Sequence, residues 1–364
     1  MKYNKNEIIY FAFSYIKSGG GAEKQILIQA QTLIENGFSI MFLCKEIDEN
    51  HFYKYCPSGK YSTEIFKSLY KAKKNIVISF LAHDHKYCLL FKILGKIRWI
   101  PFEQTHPEYY LKYSNKNFLY RNLKFLMLNF IYTCFSNGLI VQTFDAKEAW
   151  KNAFIKYKKP IYELGNIIKE NGVVKNNYFD SNLLKIIMIG RLIKIKDYPI
   201  ALNAFSIMKE KNINFNVSIY GEGPEYLNLV QMVKNFGLEK NIFFKGYCKE
   251  VDKEIVNHDI FLITSMVEGM PNALGEAMIS AVPCITLNYH ANPKEFLGDD
   301  NMQIVLERNP ELLANRIMQF FDKNILKKYG EMNFHRAKSF FSEECYLAKF
   351  KLIYNLITSG KNYT

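Results

Sequence analysis

Short apolar runs alternate with longer amphipathic stretches along most of the chain. Ile8–Tyr15 is a run of strand length, broken by three glycines at 19–21. A helical pattern then extends from Ala22 to about Asn36 and stops at Gly37, a residue suited to the position just past a helix. Phe38–Cys44 returns to a strand pattern, which completes a β-α-β unit of a parallel sheet. Further strand-like runs follow at Asn75–Leu81, Ile97–Phe102 and Leu139–Thr143, with helical patterns between them. The series restarts in the second half. Leu184–Ile189 reads as a strand, Tyr198–Lys211 as a helix, and Phe215–Tyr220 as a strand that ends in the turn Gly221–Pro224, followed by a helix through Phe236. Ile242–Gly246, Ile260–Thr264 and Cys284–Leu287 read as later strands. Strands alternating with helices twice over predict an α/β protein of two doubly wound, Rossmann-like domains.

Composition narrows the class. With 364 residues, 49% hydrophobic and 23% charged, the chain is globular and long enough for two domains. Its formal charge of +13 favours an anionic partner: a phosphorylated substrate, a membrane surface or nucleic acid. No nucleic-acid motif accompanies the charge. The seven cysteines lack metal-ligand spacing, which suits buried thiols in a reducing compartment. Ile8–Phe13 runs into a turn as a strand does, so no signal peptide is expected. Phe118–Val141 is the longest apolar region, but Arg121, Asn122, Lys124 and Asn129 interrupt it, and it reads as a buried or membrane-apposed helix, not a spanning one.

Candidate chemistry concentrates in the second half. Ser265–Ala281 reads S-M-V-E-G-M-P-N-A-L-G-E-A-M-I-S-A. Pro271 suits the first position of a helix, which would leave the amides of Asn272, Ala273 and Leu274 pointing out at the positive end of the helix dipole, as an anion site. Glu268 before that site and Glu276 beyond it can hold the hydroxyls of a molecule whose phosphate lies between them, the layout of a sugar nucleotide. The plain alternative is a surface helix with two solvated acids. Arg191 and Lys196 in I-G-R-L-I-K-I-K follow a strand end, where open α/β sheets bind ligands, and two cations there suit a diphosphate. Gly221 and Gly223 form a turn between strand and helix. Gly20 and Gly21, in S-G-G-G-A-E, occupy the first β-α turn, where glycine lets backbone approach a phosphate or sugar. The spacing G-x-G-x-x-G of a dinucleotide site is not met, which argues against a dehydrogenase. His83, His85, Glu103 and His106 cluster at two strand ends, but their spacing fits no standard metal set, and no metal is expected.

Taken together, the strings E-G-M-P-N-A-L-G-E-A-M, G-R-L-I-K-I-K and G-G-A-E-K resemble those of retaining glycosyltransferases of the GT-B fold, family four, also grouped as glycosyl transferases group 1, of the bacterial surface-glycan type. The resemblance covers nearly the whole chain and is strongest over 185–296. It implies two domains facing across a cleft: 1–167 on the acceptor side, 168–342 for the nucleotide sugar, and a last segment, 343–364, whose helix from Glu343 to Thr358 returns to the first domain. Tyr162–Ile168 resembles the short connecting strand. In such enzymes Glu268 would contact the donor sugar, Glu276 the ribose, and Arg191 and Lys196 the leaving diphosphate. Gly221 and Gly223 would lie beside the nucleotide, and Gly20 and Gly21 would face the diphosphate and acceptor. His106, with Glu103 next, would touch the transferred sugar. Where the family often has glycine after the lysine, this chain has Asp197, a departure that could reshape the turn.

The function implied is transfer, with retention and without a metal, of a hexose or N-acetylhexosamine from a UDP-linked donor to a glycan or polyprenyl-diphosphate-linked acceptor. That places the chain in polysaccharide, lipopolysaccharide or lipid-linked oligosaccharide synthesis. The nucleotide sugar is a substrate, and no cofactor is expected. The basic, aromatic stretches Tyr53–Lys74 and Tyr109–Lys124 suggest peripheral contact with an anionic membrane, and a cytoplasmic location at its inner face. Other classes are a sugar-nucleotide-binding protein that does not transfer, and a sugar-nucleotide epimerase of similar fold.

Overall fold

The structure is a computed structural model describing residues 7–17, 21–72, 75–80, 85–113, 117–154, 157–170, 172–178, 182–248, 250–290, 292–299 and 302–359. It divides into two compact units, 1–167 with 343–364, and 168–342.

In the first unit the strands are β1 (Ile8–Ala12), β2 (Tyr15–Ile16), β3 (Ser39–Leu43), β4 (Glu46–Ile47), β5 (Tyr61–Ser62), β6 (Ile76–Ser79), β7 (Arg98–Glu103), β8 (Leu139–Val141) and β9 (Ile161–Glu163). Seven of them form one parallel sheet in the order β5-β3-β1-β6-β7-β8-β9. Tyr10 stands opposite Met41 and Val77. Side chains alternate between faces along each strand, and both faces are buried, so the strands are apolar throughout. Phe11, Phe42, Ile78 and Phe102 pack on one side, and Tyr10, Val77, Trp99 and Val141 on the other.

Helices α1 (Gly21–Glu35) and α2 (Glu49–Tyr55) cover the Phe11 face. The Trp99 face is covered by α3 (Ile65–Lys71), α4 (His85–Ile93), α5 (Phe118–Phe135) and α6 (Phe144–Ala153). The strand expected to run to Tyr15 ends at Ala12. The chain bends at Ser14, whose carbonyl accepts from the amides of Lys45 and Glu46, and β2 then pairs with β4 in a ladder of its own. The apolar region Phe118–Val141 is not one element: Ser136–Gly138 separates α5 from β8.

The second unit holds β10 (Leu184–Ile189), β11 (Phe215–Tyr220), β12 (Ile242–Gly246), β13 (Ile260–Ile263), β14 (Cys284–Leu287) and β15 (Ile304–Val305). They form a parallel sheet in the order β12-β11-β10-β13-β14-β15. The chain winds outward from β10 to β12 and restarts on the other side of β10 with β13, so the carboxyl ends of β10 and β13 flank the point where ligands bind in such sheets. Around the sheet lie α7 (Tyr198–Glu210), α8 (Tyr226–Asn235), α9 (Val251–Ile255), α10 (Asn272–Ile279), α11 (Lys294–Leu297), α12 (Pro310–Gln319) and α13 (Lys323–Phe340).

The last helix, α14 (Glu343–Ser359), belongs to the first unit. Tyr346, Phe350, Ile353 and Tyr354 enter the Phe11-side core; Phe38 meets Phe350 and Tyr354 edge-on, and the Tyr354 hydroxyl donates to Glu7 at 2.7 Å. Four cysteines, 44, 56, 88 and 284, are buried; burial pushes the Cys44 and Cys56 thiols up to about 11 and about 12.

Candidate functional site

Two loops of the second unit carry the motif residues, and each leaves a strand at the switch point. The loop after β10 runs from Gly190 through a short 3-10 turn at Lys194–Lys196 into α7. The loop after β13 runs from Thr264 to Pro271 and opens α10. They are fastened side by side. The Met266 amide donates to the Ile195 carbonyl at 2.8 Å, and the Thr264 hydroxyl to the Lys196 carbonyl at 2.9 Å. On its far side the second loop is held by the amide of Glu268, which donates to the His290 carbonyl at 3.2 Å.

This fastening brings Lys196 and Glu268 together. Lys196 Nζ lies 2.5 Å from Glu268 Oε1, and the Ser265 hydroxyl donates to the same oxygen at 2.5 Å. The two charged side chains retain 23% and 13% exposure, enough to be reached and little enough that solvent screens them weakly. Tyr198 closes the floor. Its hydroxyl donates to the Gly190 carbonyl at 2.9 Å, and burial, with the Glu268 charge beside it, raises its pKa. Burial and the same carboxylate raise that of Tyr289, whose buried hydroxyl has no partner among the described residues. Arg191 sits on the first loop with an exposed side chain.

Asp197 is the unusual residue of the first loop. Its φ of 47° and ψ of 49° are left-handed, a conformation glycine adopts freely and aspartate adopts at some cost. The aspartate carboxylate gives something back: Oδ2 accepts from Arg308 Nη2 at 2.7 Å. The same guanidinium donates to the carbonyls of Thr264 at 2.6 Å and Ser265 at 3.0 Å. Arg308 thus clamps both loops from below. Its sequence surroundings, a polar stretch ahead of α12, carry no signal of that role.

Gly221 and Gly223 follow β11 at φ 143° and 158°. A Cβ on Gly221 would overlap the carbonyl of Gly190, and one on Gly223 the carbonyl of Leu192. The close approach they permit is therefore to the Arg191 loop. The Leu192 amide donates to the Glu222 carbonyl at 2.8 Å, and the Glu225 amide to the Leu192 carbonyl at 3.0 Å.

At α10 the helix starts one residue later than expected. Pro271 is the cap, with an extended ψ of 106°, and the amides of Leu274 and Gly275 both donate to its carbonyl, at 3.1 and 3.3 Å. Leu274 is also fully buried. Of the three amides expected to point out of the helix, that of Leu274 is thus taken by the Pro271 carbonyl. Glu276 stands half-buried in the second turn of α10.

The polar cluster of the first unit is not a single open site. His106 is 3% exposed, with Nδ1 accepting from the Glu108 amide at 3.3 Å and Nε2 3.3 Å from Asp145 Oδ2. Glu103 faces inward: it accepts from the hydroxyls of Tyr132 and Tyr110, and His85 Nε2 lies 3.6 Å away. His85 Nδ1 is 2.7 Å from the Ser79 hydroxyl, which also accepts from the Trp99 indole at 2.8 Å. Burial and the Glu103 charge hold both tyrosine pKa values well above the usual range. Gly21 opens α1 and is exposed, whereas Gly20 and His83 lie outside the described residues. No group of three or more His, Cys, Asp or Glu able to hold a metal occurs among the described residues.

The second-unit geometry has relatives. The model of the family "Glycosyl transferases group 1" matches residues 174–333, which include every element of the two-loop site. Residues 174–333 are thus similar to a glycosyl transferases group 1 domain. The poly(ribitol-phosphate) alpha-N-acetylglucosaminyltransferase of Staphylococcus aureus is 26% identical over 222 residues, covering 60% of this chain and 44% of that protein. The chain spans about half the length, or less, of the curated relatives it matches first. Among solved structures, TarM superposes with a TM-score of 0.80 at 12% identity, covering 96% of this chain and 99% of TarM. Anabaena Alr3699/HepE in complex with UDP-glucose gives 0.75 at 12% identity, covering 96% of this chain and all of that one. These likenesses show the fold, which is GT-B, and the residues that match the group 1 model lie in the second unit.

Proposed function

We propose that the chain is a retaining glycosyltransferase that moves a hexose or N-acetylhexosamine from a UDP-sugar to a glycan or polyprenyl-diphosphate-linked acceptor in bacterial surface-glycan synthesis. The observation that carries this reading is the meeting of Lys196 and Glu268 at 2.5 Å at the switch point of the group 1 domain. A cation for a diphosphate and an acid for sugar hydroxyls are there held in one place by Ser265, Asp197 and Arg308. The names of the relatives support the class of donor and acceptor, since they include an N-acetylglucosaminyltransferase acting on poly(ribitol-phosphate).

In this reading the acceptor oxygen attacks the anomeric carbon on the face from which the diphosphate leaves. The bond from that carbon to the diphosphate oxygen breaks, and the acceptor proton passes to the departing diphosphate. Lys196 and Arg191, with the amides of Asn272 and Ala273, stabilise the charge that develops there, the kind of preorganised electrostatics that dominates such catalysis. Glu268 orients the sugar through its hydroxyls, and Glu276 binds the ribose. His106, which lies against Asp145, is the first-unit residue assigned to contact with the transferred sugar in this reading. The reaction takes place in the cytoplasm and draws on no metal.

The test is UDP release from a panel of UDP-sugars, with and without a bacterial lipid extract, repeated with a chelator. Release with one sugar, boosted by lipid, insensitive to chelation and giving a product with the donor's anomeric configuration, supports the proposal. Inversion, or activity restored only by a divalent ion, refutes the corresponding part of it. Interconversion of the sugar nucleotide without transfer would make the protein an epimerase.

A further inference from the structure

The outer face of α5 runs against the rule for a surface helix. Phe125, Leu128 and Tyr132 form its buried stripe. The opposite stripe should be polar. Instead it carries Leu119, Leu123, Leu126, Met127 and Phe130, at exposures of 55–77%. These positions recur at helical spacing, so the apolar face is continuous along more than three turns. The neighbouring α4 continues it with Leu90 and Ile93, Leu94 follows just past its end, and α3 adds Phe66 and Tyr70, all exposed. The three helices lie side by side on the Trp99 face of the first sheet.

The charge around this patch is one-sided. Glu64–Phe135, the sequence that spans the layer, contains twelve Lys and Arg and four acids, of which Glu64 and Glu108 pair with Lys67 and Lys112 and Glu103 faces inward. The Lys96 ammonium lies over the Tyr70 ring, 5.1 Å from its centroid. No helix among the described residues is long and apolar enough to cross a membrane. We propose that the outer surface of the α3–α4–α5 layer docks on an anionic lipid bilayer, with α5 lying in the headgroup plane and its Leu119–Phe130 stripe turned toward the acyl chains. An apolar stripe bordered by cations fits a surface whose charge is negative and whose interior is apolar. A second copy of the same surface would bring two strongly basic layers face to face, which their repulsion opposes. The proposal stands on the first unit alone and does not depend on the transfer reaction.

The test is co-sedimentation of the full chain with vesicles of phosphatidylcholine, and of phosphatidylcholine containing about one-third phosphatidylglycerol, at low and high salt. Binding to the anionic vesicles should exceed binding to the neutral ones by ~10-fold or more and weaken as salt rises. L119Q/L123Q/M127Q, at exposed positions whose melting should match the parent, should lose ~10-fold or more on anionic vesicles. K67Q/K71Q/K86Q should lose the preference for anionic lipid. Equal binding to both vesicles, or a triple-glutamine variant that binds like the parent, would overturn the proposal. So would a dimer in sedimentation equilibrium that L119Q/L123Q/M127Q converts to monomer, since a second copy would then be the occupant.

Discussion

Replacing Arg308 by methionine tests whether the two site loops depend on one clamp. The substitution keeps most of the stem and removes the guanidinium. Its bond to Asp197 at 2.7 Å joins two ions with side chains 30% and 17% exposed, and a charge-assisted bond of that kind contributes ~1.5–3 kcal/mol. The carbonyls of Thr264 and Ser265, in residues 1% and 0% exposed, lose a donor as well, at about 1 kcal/mol each. The expected loss is therefore ~3.5–5 kcal/mol. Asp197→Asn is the matched partner, because asparagine also tolerates the left-handed conformation and so removes charge without changing the backbone. Urea unfolding of the two single variants and the double variant should give a coupling of ~1.5–3 kcal/mol. Turnover of the nucleotide sugar should fall by ~100-fold in the Arg308 variant, the scale of an ångström's displacement of a positioned group. A stability loss under ~1 kcal/mol, or energies additive within ~0.5 kcal/mol, would show that the loops hold themselves and that the clamp is incidental.

Lys196→Ala should cut turnover by ~100–1,000-fold, the effect of losing one charge-stabilising donor, and full activity in steady-state assays would remove Lys196 from the site. Glu276→Ala should weaken nucleotide binding, read by calorimetry on the folded variant. Gly221→Ala forces a Cβ into the Gly190 carbonyl and should destabilise the second unit by ~3 kcal/mol or more, read by urea unfolding. His258 is buried and donates through Nδ1 to the Glu254 carbonyl at 2.8 Å, and burial lowers its pKa. The unfolded chain then takes up the proton first as pH falls, so stability is lost from the ordinary value of 6.5 down to the lowered one and levels off below it. His258→Gln should flatten that interval in melts at stepped pH; an unchanged slope would clear this histidine.

The alternation of apolar runs and helical patterns was legible because parallel strands buried on both faces are apolar throughout, and Leu184–Ile189 and Phe215–Tyr220 appear with the bounds their patterns predict. Two-residue strands such as β2, β4 and β5 have no period to read. The basic stretch Tyr53–Lys74 hides the end of α2, all of β5 and α3, because exposed lysines mask buried Leu69 and Ile65. Pro271 could be placed at the start of α10, but whether it caps the helix or lies within it depends on ψ, which no residue name discloses. Lys196 and Glu268 are each visible in a motif, yet they are 72 residues apart, and only strand order places them on adjacent loops. Arg308 and Tyr289 were not legible at all. Each reaches the site from beyond the motifs, through tertiary packing that no local pattern announces.

The placement of α14 has a consequence for how the protein is made. The first unit is interrupted by the second: the chain leaves it after Ile167 and re-enters at Glu343, and the Ile168 amide bonds the Phe341 carbonyl at 3.1 Å at that junction. During synthesis, which runs from the N-terminus, the whole of 168–342 emerges before the first unit has its last helix. The later domain in sequence is thus the earlier one able to close its core, and the Phe11 face of the first sheet waits, uncovered along Phe38, until Phe350 and Tyr354 arrive. A released chain truncated after Ser342 should hold a protease-resistant second unit joined to a first unit that proteases still cut.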